Sequence, residues 1–277
     1  MSGTLYIVAT PIGNLSDLTP RAAQTFAQVD FIAAEDTRVT LKLLNHLEIK
    51  KPLVSYFEHN LKEKGQQILN RILQGENCAL CSDAGMPAIS DPGELIVADA
   101  IAQGISVVPV PAASAAVTAL AVSGQETGRF VFEGFLPMNR RTRKERLQEL
   151  QSEQRTIIFY EAPHKLKNTL SDLAATFGQE RSITLCRELT KLHETIQKTT
   201  IAEAIQWYEQ NQPRGEYVLV VAGAQPTEPL QWSLEQAVSM VLELVAQGEK
   251  FNTACKQAAA QSGFSKSEIY KLALEKQ

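Results

Sequence analysis

The chain has 277 residues, 44% hydrophobic and 21% charged, with 27 Lys and Arg against 31 Asp and Glu for a formal net charge of −4. That length accommodates two domains of ordinary size, and the balance describes a soluble globular protein rather than a membrane-embedded one. The net charge argues against a globally basic nucleic-acid coat, although it allows one basic face.

Leu5-Tyr6-Ile7-Val8-Ala9 reads as a first strand; Met1-Ser2-Gly3-Thr4 leads straight into it without a signal peptide, so a cytoplasmic location is expected. Thr19-Pro20 caps a helix to about Gln28, Phe31 to Ala34 is a second strand, and Leu41 to Leu47 has helical spacing. Leu53 to Tyr56 is a third strand, and Asn60 with Glu63 opens a helix that Gly75 ends. Cys78 to Cys81 then forms a short buried strand. The Cys-x-x-Cys has no second Cys/His pair at ligand spacing, so neither a metal nor a structural disulfide is expected.

From that strand, Ser82 to Ser90 runs into Asp91-Pro92-Gly93-Glu94, which reads as an N-cap, a proline at the first helical position and a glutamate at the third. Ala84, Gly85 and Ala88 are small enough for a ligand to touch main chain. In open α/β sheets that crevice at a strand's carboxyl end is where small molecules bind. Gly104 terminates the following helix, and a strand from Ser106 to Pro109 and a small-residue helix from Ser114 complete an N-terminal α/β domain with a parallel sheet, residues 1–123.

Glycines at 124 and 128 open a second, mixed α/β domain over 124–224, with strands at Phe130 to Phe132, Thr156 to Tyr160, Ser182 to Cys186, Glu194 to Thr199 and Tyr217 to Val221. The alternation from His193 to Thr199 predicts an edge or antiparallel strand with one wet face. Gly223 to Pro229 is a linker by composition. Residues 230–277 form a small helical segment, with capping boxes at Ser233-x-x-Gln236 and Ser265-x-x-Glu268 and a helix from about Asn252 to Gln261. That segment is compatible with a helix-turn-helix, for which Lys256, Lys266 and Lys271 are a thin basic supply, and equally with a packing appendage.

Arg140-Arg141-Thr142-Arg143-Lys144-Glu145-Arg146 is the dense cationic run of the chain. A solvated helix start is the ordinary explanation for such a run. Cations at a helix N-terminus oppose the macrodipole, however, so something other than helix stability places them there.

Several motifs occur in order: Thr10-Pro11-Ile12-Gly13-Asn14-Leu15, Ala34-Glu35-Asp36-Thr37-Arg38, Ser82 to Gly93, Gly134-Phe135-Leu136-Pro137, Tyr160-Glu161-Ala162-Pro163-His164 and Arg187-Glu188-Leu189-Thr190-Lys191. Together they resemble the RsmI family of ribosomal-RNA small-subunit methyltransferases, over essentially the whole chain. The resemblance implies a fold of tetrapyrrole-methylase type, two α/β domains with S-adenosylmethionine in the cleft between them. It also implies 2′-O-methylation of a cytidine ribose in the decoding region of 16S rRNA, by a homodimer. It places the cofactor against Pro11 and Gly13, against the loop of Asp83, Ala84, Gly85, Met86, Pro87, Ile89 and Ser90, against Ser114 and Ala115, and against Tyr160, Glu161 and Ala162. One departure concerns the turn after the fifth strand, which commonly carries Pro-Gly in this superfamily and here reads Pro111-Ala112-Ala113-Ser114. If that position needs positive φ, alanine would be strained. No Gly-x-Gly-x-x-Gly follows the first strand, so the dinucleotide-type fingerprint is missing.

Methylation of a poorly acidic ribose hydroxyl calls for a nearby base or a cation that stabilises the oxyanion. Glu35, Asp36 and Arg38 follow the second strand, and Arg187, Glu188 and Lys191 follow a strand of the second domain. Structural ion-pair networks would account for most of these six. The catalytic candidates are Glu35 or Asp36 near the acceptor and Lys191, with Arg187 placing phosphate or the oxyanion. His59 and His164 sit on loops where a neutral imidazole can accept a proton. RNA phosphates would meet Arg140, Arg141, Arg143, Lys144 and Arg146 beside the cleft mouth, with Arg21 and Arg38 on the opposite wall. The partner expected is 16S rRNA or the small ribosomal subunit, with no membrane. The alternative enzyme is a tetrapyrrole (precorrin-type) C-methyltransferase, and a DNA-binding regulator acting through the terminal helices is the alternative from another class.

Overall fold

A computed structural model describes residues 2–57, 60–91, 93–225 and 232–276. The first five apolar runs become parallel strands β1 (Thr4–Val8), β2 (Phe31–Ala34), β3 (Leu53–Ser55), β4 (Cys78–Cys81) and β5 (Ser106–Val110), in the order β3-β2-β4-β1-β5. A parallel sheet needs a crossover between successive strands. Here each crossover is a helix: α1 (Pro20–Gln28), α2 (Thr37–His46), α3 (Leu61–Leu73) and α4 (Glu94–Ala102). Phe26 of α1 and Leu43 and Leu44 of α2 pack on one face with Val8, Ile32 and Ala34. Ile68, Leu69 and Ile72 of α3 and Ile96 of α4 pack on the other with Leu5, Phe31 and Leu80. Covered on both sides, β2 and β4 are buried throughout, which is why they read as unbroken apolar runs. Neighbouring strands β1 and β4 thus lead to helices on opposite faces, and this opens a crevice at their carboxyl ends.

The second sheet holds β6 (Phe130–Phe135), β7 (Thr156–Glu161), β8 (Ser182–Arg187), β9 (Thr195–Thr200) and β10 (Tyr217–Val221), in the order β6-β7-β10-β8-β9. β6 and β7 are parallel, joined through α6 (Arg140–Glu149), and the other pairings are antiparallel. One face is covered by α6, α7 (Leu166–Phe177) and α8 (Ile201–Gln210), through Leu147, Leu170, Leu173 and Ile201 against Ile157, Phe159, Leu185 and Leu219. β9 is the antiparallel edge that its alternating pattern predicts, although its first four residues are all exposed rather than wet on one face only.

The other face of this sheet is covered by α5 (Ala115–Val122), the helix after β5. Its Ala116, Ala119 and Leu120 pack against Ile158, Cys186, Val218 and Val220. A helix that the sequence groups with residues 1–123 therefore belongs by packing to the second sheet, and residues 1–224 form one compact unit.

β6 contains one irregularity. Phe132 pairs with Ile158 and Phe135 with Tyr160, and a register shift between Phe132 and Gly134 leaves Glu133 as an extra residue. Strict alternation would put residues 132 and 135 on opposite faces, whereas the bulge brings both onto the face of Ile158 and Tyr160. Gly134 permits this: its φ is +61°, and a Cβ there would lie 2.6 Å from Ser90 Oγ.

Residues 225–277 form a separate unit. Helices α9 (Leu234–Ala246), α10 (Phe251–Ser262) and α11 (Lys266–Glu275) enclose their own core of Val238, Val241, Ala254, Cys255 and Ile269. Both expected capping boxes form, Ser233 with Gln236 and Ser265 with Glu268. Linker positions 226–229 lie outside the described residues. No described helix is long and apolar enough to cross a membrane.

Two helix starts differ from expectation. α2 begins a turn before Leu41 because Asp36 caps it, its side chain accepting the Arg38 N–H. α4 begins at Glu94 with Gly93 as its cap and no side-chain cap, because the Asp91 carboxyl engages Ser82 instead. Pro92 lies outside the described residues.

Leu120→Ala should cost about 2–5 kcal/mol of unfolding free energy, since it opens a cavity between α5 and the second sheet. Urea unfolding followed by circular dichroism measures this, and a loss under about 1 kcal/mol would contradict the packing described.

Candidate active site between the two sheets

Loops after β1, β2, β4 and β5 meet those after β6, β7 and β8 around a cleft of about 550 Å³. Main-chain contacts lock the first set. Thr10 and Gly85 exchange two N–H···O=C bonds, at 2.9 and 3.0 Å. Asp83 accepts the Asp36 N–H at 3.1 Å, and Glu35 accepts the Asp83 N–H at 3.4 Å.

Of the residues tied by resemblance to the cofactor, Asp83, Ala84, Gly85, Met86, Ile89, Ser114, Ala115, Tyr160, Glu161 and Ala162 line this cleft. Four do not. Pro11 and Gly13 line an adjoining hollow with Thr40 and Leu43, Pro87 borders a small void beside Asp91, and Ser90 faces Gly134. Gly13 is needed where the Lys191 side chain crosses it, since a Cβ would stand 2.5 Å from Lys191 Cγ. Neither Ala112 nor Ala113 has positive φ, so the Pro-Ala turn carries no strain.

Tyr160 joins the two sets of loops. Its hydroxyl accepts the Ala116 N–H at 3.1 Å, a first-turn donor of α5, whose N-cap Ser114 makes no side-chain bond. Its ring meets Phe132 and Phe135 edge to face at 5.0 and 5.6 Å. The buried Glu161 carboxylate accepts the Ala162 N–H and the Thr169 hydroxyl. Thr169 in turn accepts from Arg143, which also donates to Asp172 at 2.6 Å.

The first wall is acidic. Burial raises the pKa of Glu35, Asp83 and Asp91, and the Asp91 charge adds to the rise at Glu35. None of the three has an ion-pair partner among the described residues. Asp36 behaves oppositely: hydrogen bonds from the Arg38 side chain and N–H hold its pKa down to about 2. Committed to Arg38 and to the α2 cap, Asp36 stays out of the cleft, so of the two carboxylates only Glu35 lines it.

On the opposite wall, Lys191 Nζ donates to Glu188 Oε1 at 2.9 Å and Glu216 Oε2 at 3.0 Å. Burial works to lower the Lys191 pKa, but these hydrogen bonds outweigh it and leave the pKa raised. The Lys191 hydrogen bond likewise lowers the pKa of Glu188. Lys191 is therefore a fixed cation, not a base. Arg187 Nε is buried without a hydrogen-bond partner among the described residues, and Arg187 does not line the cleft. His164 lies on the lining, whereas His59 falls outside the described residues.

Pairing sorts the cationic run. Arg141 binds Glu145, Arg143 binds Asp172, and Arg146 binds Glu133 and Glu149. Arg140 and Lys144 make no ion pair among the described residues and line, with Arg143, a separate groove of about 440 Å³ along α6 and α7. The run expected beside the cleft mouth is thus split, and Arg143 supports Glu161 through Thr169 instead of standing open. Arg38 is exposed but paired with Asp36, and Arg21 is exposed on α1. Cys78 and Cys81 are buried free thiols whose pKa burial raises, to about 12 for Cys81.

Sequence reasoning missed Glu216. The available signal is the Arg214-Gly215-Glu216 turn ahead of the last strand. Its meaning depends on β10 inserting between β7 and β8, which no local pattern announces.

The sequence profile of the Tetrapyrrole (Corrin/Porphyrin) Methylases matches residues 4–205. The "Ribosomal RNA small subunit methyltransferase I" of Synechocystis sp. is 48% identical over 273 residues, covering 99% of this chain and 98% of its own. That of Bacillus subtilis is 47% identical over 272 residues, with 97% and 93% covered, and that of Pseudomonas aeruginosa 45% over 278, with 100% and 98%. Among solved structures, diphthine synthase superposes with a TM-score of 0.61 at 12% identity, over 79% of this chain and 90% of that one. A cobalt precorrin-4 methyltransferase gives 0.60 at 17%, over 79% and 94%. At such identities these two structures speak for the fold alone.

A carboxyl whose folded-state pKa is raised binds more protons folded than unfolded, so its favourable contribution in acid is lost as pH rises through the raised value. For Asp91 the loss begins near the ordinary 3.8. Asp91→Asn should therefore raise the thermal midpoint at pH 7, and the advantage should fade by about pH 4. An identical difference at both pH values would contradict the buried-charge account.

Proposed function

Because the chain belongs to the ribosomal RNA small subunit methyltransferase I family of the tetrapyrrole methylases, we propose that it methylates the 2′-hydroxyl of a cytidine ribose in 16S rRNA, in the cytoplasm, using S-adenosylmethionine. The observation that carries the reading is the acidic wall: Glu35, Asp83 and Asp91 face a cleft of small-residue loops, and none of them has an ion-pair partner among the described residues to offset its burial. When bound, S-adenosylmethionine supplies an electrophilic methyl on a sulfonium cation, the charge this wall lacks. Ala84, Gly85 and Ala115 leave main chain within reach of such a ligand, and Ile12, Tyr160 and Leu189 offer apolar contact.

Glu35 is the base for the hydroxyl proton, since a raised pKa suits proton acceptance near neutrality better than the depressed one of Asp36. Lys191, kept charged by Glu188 and Glu216, steadies the developing oxyanion or an adjacent phosphate. Arg140 and Lys144 provide open phosphate contacts, with Arg21 and Arg38 as further cations. α4 and α5 leave the apolar side chains of Leu95, Ile101, Val117 and Val122 exposed, and a second copy of the chain covers these faces in the homodimer.

Calorimetry with S-adenosylmethionine, followed by transfer of labelled methyl to 16S rRNA in small subunits lacking the modification, tests the reading. Heat of binding and label at a cytidine ribose are expected. Label on a precorrin-type macrocycle and none on rRNA would establish the alternative enzyme. Glu35→Gln should lower kcat by about 100-fold or more and, because it removes one charge of the acidic wall, weaken cofactor binding as well. Arg140→Ala with Lys144→Ala should reduce the slope of log K against log salt by about 1–2. An unchanged slope would make these two residues mere solvated surface.

A further inference from the structure

The Gly134-Phe135-Leu136-Pro137 motif has no part in the chemistry above, yet Phe135 stands between two hollows. It lines the main cleft and also a neighbouring hollow of about 340 Å³ that includes Thr142, Glu145 and Arg146. The residue is 57% exposed although its ring contacts Tyr160 edge to face. The β6 bulge produces this display, since without the extra residue Glu133 the ring would fall on the opposite face of the sheet. Glu133 itself turns into the side hollow, where Arg146 donates two hydrogen bonds to it at 2.7 Å.

The side hollow holds the carboxylates of Glu133, Glu145 and Glu149; Arg146 pairs with Glu133 and Glu149 and Arg141 with Glu145, which leaves one carboxylate in excess over the two guanidiniums. Such a lining repels phosphate. It accepts a neutral planar ring that carries amino donors on its edge, as carboxylates accept from the cytosine amino group. Unpaired bases in RNA are recognised by stacking on aromatic rings, and chemistry on a single nucleotide generally draws that nucleotide out of its stack.

From this arrangement we propose that Phe135 is the stacking platform for the base of the target nucleotide, with the amino edge of the base turned toward the carboxylates of the side hollow and its ribose entering the main cleft. The proposal rests on the rRNA reading above and adds a specificity-determining residue to it. Phe135 acts on the acceptor and not on the methyl donor.

Phe135→Ala, Phe135→Leu, Phe135→Tyr and Phe135→Trp, each checked for folding by circular dichroism, separate the possibilities. Ala and Leu should raise the KM for small subunits by about tenfold or more, Tyr and Trp should restore it, and the cofactor Kd should stay within about twofold throughout. If Leu serves as well as Phe, the ring is a plain apolar wall and the proposal fails. If the cofactor Kd rises in step, Phe135 belongs to the donor site and the proposal also fails. Subunits with uridine in place of the target cytidine should be methylated about tenfold less efficiently by the unmodified protein, and equal efficiency would overturn the amino-edge assignment. An unmodified protein that methylates no small subunit would overturn the functional reading itself, an outcome visible before any substitution is made.

Discussion

The hydrogen bond from the Ala116 N–H to the Tyr160 hydroxyl, backed by Ala119 and Leu120 against Val218 and Val220, turns two sheets into the walls of one cleft. A parallel sheet with helices on both faces and a mixed sheet with helices on one face would otherwise be separate bodies. α5 is short and apolar on all sides, so it has no preferred outer surface and is available to a second sheet. Its first turn leaves N–H groups unsatisfied, and one of them finds its acceptor on a side chain of β7. The spacing between the loops after β4 and those after β7 and β8 therefore follows from packing, not from the loops themselves.

Charge is divided across that spacing. Three carboxylates on one side are destabilised by burial and have no ion-pair partner among the described residues, while on the other a lysine is held between two glutamates and stays charged. In the proposed reaction the division suits a donor that arrives positively charged and an acceptor oxygen that must become negative. Uncompensated carboxylates are costly in a fold, which makes them a stronger sign of a cationic ligand than any loop shape.

Much of this was legible in the residues. The ten strands, the two capping boxes of the terminal helices and the cleft-lining loop after β4 follow from apolar runs, Ser-x-x-Gln/Glu spacing and small residues at a strand end. What was not legible depends on contacts far apart in sequence. Asp91 looks like a helix cap and instead engages Ser82; Arg143 looks like a phosphate contact and instead braces Glu161 through Thr169. The cations of the run look alike in sequence, and only the positions of Glu133, Glu145, Glu149 and Asp172 decide which of them are paired among the described residues. The pairing of Glu216 with Lys191 depends in the same way on where the last strand inserts.

Among the described residues, five non-glycine positions have left-handed backbone, and four of them are Ala88 and Ser90 on one rim of the cleft and Glu188 and Thr190 on the other. Each such conformation costs of order 1 kcal/mol, a burden the rest of the fold carries to keep the two rims in shape. A search for heat-resistant variants that ranks substitutions by unfolding temperature alone would be drawn to these four positions, where glycine relaxes the backbone. The sturdier proteins it returned would have rims free to wander.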